Sequence, residues 1–147
     1  MVKLFKKILV PVDLEETAFA DRAVGTAVEV ARHQQAELHV MTVLPGFRMP
    51  LVASFFPPDA MQRAVKEVTK ELQNYVAKRV PNDVSVTYTV AEGTHYEEIL
   101  AEAKRIKADL IVLHSQVRKH VEKVLLGSCA QKVVEHAPCS VWLLRGT

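Results

Sequence analysis

The sequence predicts an α/β fold: an open, five-stranded parallel sheet in the order 3-2-1-4-5, with helices on both faces. Three observations carry this prediction. Five strand-like runs alternate with four helical patterns, the signature of βαβ units. The first and fourth runs, Ile8-Leu9-Val10 and Leu110 to Leu113, are continuously apolar, as strands covered on both faces should be. The third, VSVTYTV from Val84 to Val90, alternates with period two and so belongs at an edge with one polar face. Right-handed crossovers leave few arrangements. The one chosen sets strands one and four side by side while their helices leave on opposite sides.

Strand one is Lys7 to Val12. Helix one follows from Thr17 to Gln34, with Phe19, Ala23, Ala27, Val30 and Ala31 on its apolar face. Strand two spans Glu37 to Leu44. The segment Pro45 to Pro58 is apolar but holds four prolines, which excludes a regular helix or an interior strand. It is read as a loop laying Phe55 and Phe56 on the domain edge, with a ligand lid or partner surface as the sharper alternative. Helix two starts at Asp59, where Asp59 and Gln62 have capping-box spacing, and buries Met61, Val65, Val68, Leu72, Tyr75 and Val76. Thr94 with Glu97 opens helix three, which runs toward Lys107 with Ile99, Ala103 and Ile106 inward. Ser128 with Gln131 opens helix four, and strand five is Val141 to Leu144.

Composition bounds the function. A chain of 147 residues, 49% apolar and 24% charged, is one ordinary globular domain, taken as residues 1–147. A net charge of +2 gives no reason to expect nucleic acid or an anionic membrane as partner. The opening MVKLFKKILVPVD sets lysines before an apolar run, but Pro11 and Asp13 cut it too short for a signal peptide. No apolar stretch approaches membrane-spanning length. Two cysteines, Cys129 and Cys139, make no disulfide framework and suit a reducing cytoplasm.

The most informative stretch is Asp109 to Arg145: a buried strand, a basic loop from Gln116 to Lys123, Gly127-Ser128 opening a helix, and a last strand. Free N–H groups in a helix's first turn, together with its dipole, attract anions, and glycine lets the backbone come close. In the chosen topology, ligands sit outside the carboxyl ends of strands one and four. Pro11, Val12 and Asp13 would meet His114, Ser115, Gly127, Ser128 and Cys129 there. Asp13 could accept from an adenine amine or a ribose hydroxyl, and the backbone near Val43 could pair with a base edge. Arg118, Lys119 and Lys123 could pair with phosphate. Structural readings stand beside these: a solvated loop face for the basic residues, a helix cap for Ser128, a turn for Gly127, and a cap for helix one at Asp13.

These segments resemble the universal stress protein family over nearly the whole chain. KKILVPVDLEETA looks like the family's first strand and helix start, and places Pro11 and Asp13 where its members contact a nucleoside. AEGTHYEEIL is similar to the Gly-x-Pro segment, with Thr94-His95 in the proline's place. ADLIVLHS, LLGSCAQKVVEHAPCSVWLLR and above all HAPCSVWLL match the last strands. The resemblance implies an adenine nucleotide alpha hydrolase-like fold in a small cytoplasmic homodimer that serves the stress response and regulates rather than catalyses. Its nucleotide-binding members carry Gly-x-x-Gly-x9-Gly-Ser/Thr. Here Gly127-Ser128 remains, while His114 and Val117 replace the first two glycines. Each adds a Cβ where backbone and phosphate should approach. The expectation is therefore a degenerate site for ATP or another adenine nucleotide, with a working ATP or AMP site and a closed interaction module as rivals.

Other chemistries find no motif. GxxxxGK[ST], GxGxxG after strand one, SGGxDS and HIGH are all absent. His136 with Cys139 and His114 with His120 share short loops, but spacing alone is weak and no metal site is expected. Cys129 in a helix first turn suggests either an activated thiol or a small buried hydrophobe, and the latter is favoured. No nucleophile–base–orienter set is present, nor an evident base for water attack on a γ-phosphate, so no ATP hydrolysis beyond a very slow background is expected. Strand five, Ser140, Val141, Trp142, Leu143 and Leu144, is an apolar edge without proline, the kind that pairs with another chain. A homodimer through this strand is expected, together with a protein partner that the sequence does not name.

Overall fold

The computed structural model describes residues 4–45, 57–115 and 127–145. The readings for residues 46–56 and 116–126, including Val117, Arg118, Lys119, His120 and Lys123, fall outside them. Five strands and four helices alternate: β1 Lys7–Pro11, α1 Thr17–Gln34, β2 Glu37–Leu44, α2 Ala60–Arg79, β3 Val86–Glu92, α3 His95–Ile106, β4 Leu110–His114, α4 Ser128–His136 and β5 Ser140–Leu144. All pairings are parallel and the order is β3-β2-β1-β4-β5, as predicted.

The continuously apolar strands lie at the centre because both of their faces are covered. Ile8, Val10, Leu110 and Val112 face α1 and α2, while Leu9 and Ile111 face α3 and α4. All six are fully buried, and each contributes about 1.5–3 kcal/mol by leaving water. Helix α1 lies on the sheet through small side chains, Ala20, Ala23, Val24, Ala27, Val28 and Ala31. This corrects the predicted stripe, since Phe19 and Val30 are only partly buried. The narrow alanines seat the helix deeper, and the stripe turns toward Ala20, Val24 and Val28.

Two further readings change. Strand β3 begins two residues later than predicted, because the Val84 N–H closes a turn on the Pro81 carbonyl at 3.1 Å. None of the three predicted capping boxes forms a side-chain cap. Asp59 pairs instead with Arg63 at 3.0 Å. Gln131 bonds Glu135 at 3.1 Å. Helix α4 is capped by Gly127 at φ 79°, which makes Ser128 its first helical residue rather than its cap.

The layer under α3 contains a buried polar network. The Thr87 hydroxyl lies 2.5 Å from His39 Nδ1, and His39 Nε2 lies 2.8 Å from Glu102 Oε2. Arg105 donates twice to the same carboxylate, at 2.6 and 2.7 Å. In the neutral imidazole, a proton on Nε2 satisfies Glu102 and leaves Nδ1 to accept from Thr87. The Arg105 guanidinium holds the Glu102 carboxyl below its ordinary range; His39 assists and burial opposes.

Candidate ligand-binding site

Backbone hydrogen bonds gather the carboxyl ends of the strands. The Val12 N–H reaches the Met41 carbonyl at 2.8 Å, and the Thr42 hydroxyl donates to the Val12 carbonyl at 2.8 Å. Asp13 is thereby set just beyond β1, where its Oδ1 accepts the Glu15 N–H at 2.9 Å. Helix α1 itself is capped by Glu16 without a side-chain bond, so Asp13 organises the turn before the helix rather than capping it. The Gly93 N–H donates to the Leu44 carbonyl at 2.9 Å, fixing the start of α3 beside the end of β2. Gly93 has φ 147°, a backbone state that favours glycine at this joint; the Glu98 carboxylate, 2.5 Å from where a Cβ would stand, is the end of a flexible side chain and could move aside. At the other end, the Ser115 N–H donates to the Leu144 carbonyl at 2.8 Å.

Between these ends opens a cavity of about 430 Å³, a volume suited to a small organic ligand. Pro11 lines it from the end of β1, Val12 and Asp13 from the turn beyond, Val43 from β2, and Leu113 and His114 from β4. Gly127, Ser128, Cys129 and Ala130 line it from α4. Eight of the nine predicted site residues therefore share one cavity. The ninth, Ser115, is absent from the lining and is 2% exposed. Its backbone joins β4 to β5, and the residue is buried.

Two walls escaped the sequence reading. Helix α1 contributes Glu16, Phe19, Ala20 and Ala23, and α3 contributes His95 and Ile99. Helix α3 packs across β1 and β2, so its first turn comes over the end of β2. The family-like segment around Gly93 was the available signal. The His114 ring meets Phe19 at 4.6 Å between centroids, tilted by 33°. At α4, the Gln131 N–H is satisfied by the Gly127 carbonyl at 3.0 Å, while the three preceding N–H groups have no helical acceptor among the described residues, the arrangement that suits an anion. Burial pushes the Cys129 thiol up, and it packs with the α3–α4 core. That environment opposes an activated thiolate and agrees with the small-hydrophobe reading. Among the described residues, no group of three or more His, Cys, Asp or Glu could hold a metal ion, and no helix is long and apolar enough to cross a membrane.

The fold and cavity define a doubly wound α/β protein with a ligand-sized opening at its topological switch point. The profile of the Universal stress protein family matches residues 4–145, and the chain belongs to that family. It is 30% identical to a universal stress protein of Methanocaldococcus jannaschii over 146 residues, covering 97% of this chain and 83% of the relative. The solved universal stress protein UspA of Lactobacillus plantarum is 28% identical, with TM-score 0.71 over 99% of this chain and 100% of that one. A universal stress protein solved in complex with cAMP has TM-score 0.62 at 20% identity, over 97% and 98% of the two chains. At that identity the likeness concerns the fold alone.

Proposed function

We propose that this chain is a cytoplasmic, homodimeric regulatory module of the stress response whose switch-point cavity holds an adenine nucleotide without turning it over. One observation carries the reading: base-side, ribose-side and phosphate-side candidates, Val43, Asp13 and Gly127-Ser128, line the same cavity. The cAMP complex of a fold relative lends support for an adenine ligand. His114, one of the two residues in the glycine positions, does not fill the described cavity, whose volume is about 430 Å³ with His114 in its wall. That volume disfavours the closed interaction module. The test is mass spectrometry of small molecules released from the denatured, freshly purified protein, followed by incubation with ATP. Stoichiometric adenine nucleotide, with added ATP recovered intact, is the expected result. An empty protein that also fails to bind AMP or ATP calorimetrically would defeat the nucleotide reading, and turnover near one per second would defeat the non-catalytic one.

The homodimer rests on β5. It is the outer strand of the sheet, and Trp142 is 39% exposed beside Phe5, with ring centroids 5.7 Å apart. Leu4 extends the apolar patch at 67% exposure. Val141 and Leu143 lean on one core and Leu144 on the other, so the strand offers its open edge while its apolar neighbours flank it. Two copies pairing antiparallel about a two-fold axis would cover that edge. Light scattering at micromolar protein should give the dimer mass, and Trp142→Glu should shift it to the monomer. A monomeric wild type excludes the arrangement.

A further inference from the structure

We infer that Thr42 is a positioning residue of the switch-point site: its hydroxyl sets the peptide that carries Asp13, so that Asp13 meets a ribose hydroxyl of the ligand. The inference rests on the nucleotide reading above and names the residue that builds its ribose side. On β2 every residue from Leu38 to Val43 is buried, and only His39 and Thr42 are polar. His39 is satisfied by Thr87 and Glu102. Thr42, 6% exposed, donates its hydroxyl across to the Val12 carbonyl at 2.8 Å.

That carbonyl takes a side-chain donor because the strand ladder stops beside it. Strand β1 ends at Pro11, while β2 runs on to Leu44. The Val12 N–H still reaches the Met41 carbonyl at 2.8 Å. A continuing parallel ladder would return a bond from the Val43 N–H to the Val12 carbonyl, and among the described residues that bond is not made. The Thr42 hydroxyl stands in for it at a residue only 7% exposed, where an unpaired carbonyl is costly. The consequence falls on Asp13. A trans peptide is planar, so holding the Val12 oxygen also fixes the Asp13 N–H and the direction in which the chain leaves the sheet. The side chain is held separately, with Oδ1 accepting the Glu15 N–H at 2.9 Å. Oδ2 makes no hydrogen bond among the described residues. A carboxylate only accepts, so the ligand group it takes must be a donor such as a ribose hydroxyl. Without the Thr42 hydroxyl, the donor that a continued ladder offers is the Val43 N–H, and moving toward it draws Asp13 toward β2.

Adenosine and a dideoxyadenosine lacking both secondary ribose hydroxyls make the test, each titrated calorimetrically. Wild type should bind adenosine about tenfold tighter than the dideoxy compound, the scale of one hydrogen bond to a charged group. Thr42→Val keeps the shape and removes the donor; it should lose that advantage for adenosine while binding dideoxyadenosine as wild type does. Thr42→Ser restores the hydroxyl and should restore the preference. Thr42→Ala serves in place of Thr42→Val if the latter does not fold. An undiminished adenosine preference in Thr42→Val overturns the inference, as does an equal loss for both nucleosides, the mark of a merely damaged cavity. A loss in Thr42→Ser as large as in Thr42→Val also overturns it. Equal binding of the two nucleosides by wild type removes the ribose contact and leaves the adenine site standing. If wild type binds neither, the nucleotide reading falls and the inference with it.

Discussion

Glu102→Ala is expected to lower stability by about 2–4 kcal/mol, near the upper end for a single side chain in this fold. The carboxylate is 9% exposed and the His39 ring 7% exposed, so removing the acceptor strands the His39 Nε2–H where water does not reach. The exposed Arg105 adds little, since a solvated guanidinium loses only a weak tether. Glu102→Gln retains an acceptor and should cost about half as much. For a domain of this size the alanine variant should melt roughly 6–12 °C lower. The pH dependence has a definite sign. Because the folded carboxyl lies below its ordinary value of 4.5, the charge-dependent part of its stabilisation is complete above that value. It is lost as pH falls through 4.5 toward the lower folded value. Thermal melts of wild type and Glu102→Gln should therefore converge below pH 4.5; a constant gap from pH 7 down to acid would rule out the ionised pair.

The sheet was legible because its signals are one-dimensional. Continuous apolar runs at Ile8–Val10 and Leu110–Leu113 can only be covered on both faces, and crossover handedness does the rest. Side-chain detail was less accessible. Three capping boxes matched by spacing, yet helix starts are chosen by backbone geometry, and Gly127 at φ 79° claimed the cap before Ser128. The α1 stripe was read as Phe19, Ala23, Ala27, Val30 and Ala31; its three alanines are buried, while Ala20, Val24 and Val28 take the places given to Phe19 and Val30. Strand ends could be placed at the cavity from topology, which is why Asp13, Val43 and His114 were named. Phe19 and His95 were not, because helix starts reach the switch point only through three-dimensional crossing. The His39–Glu102 pair was invisible for the same reason: its members are 63 residues apart and meet only once α3 lies on β2.

Gly127→Val is expected to weaken nucleotide binding about a hundredfold or more. Gly127 has φ 79° and ψ 147°, a backbone state that glycine adopts freely and a β-branched residue strongly resists. No atom lies within 4 Å of a Cβ built there, so the cost comes from the dihedral and not from a collision. Holding valine in that state costs about 1–3 kcal/mol, and the chain can relieve it only by rotating the peptide that leads into α4. Rotation would re-aim the N–H groups of Ser128 and Cys129, two residues of the cavity lining that the proposed reading sets at its phosphate end. Two misdirected charge-assisted bonds, at about 1.5–3 kcal/mol each, exceed what a hundredfold loss requires. Gly127→Ala faces the same positive φ without β-branching and should fall between the two. Adenosine makes no phosphate contact and should bind all three proteins alike, so calorimetry with adenosine and AMP separates loss of the anion site from loss of the cavity. An AMP affinity in Gly127→Val within twofold of wild type would remove the start of α4 from the phosphate site.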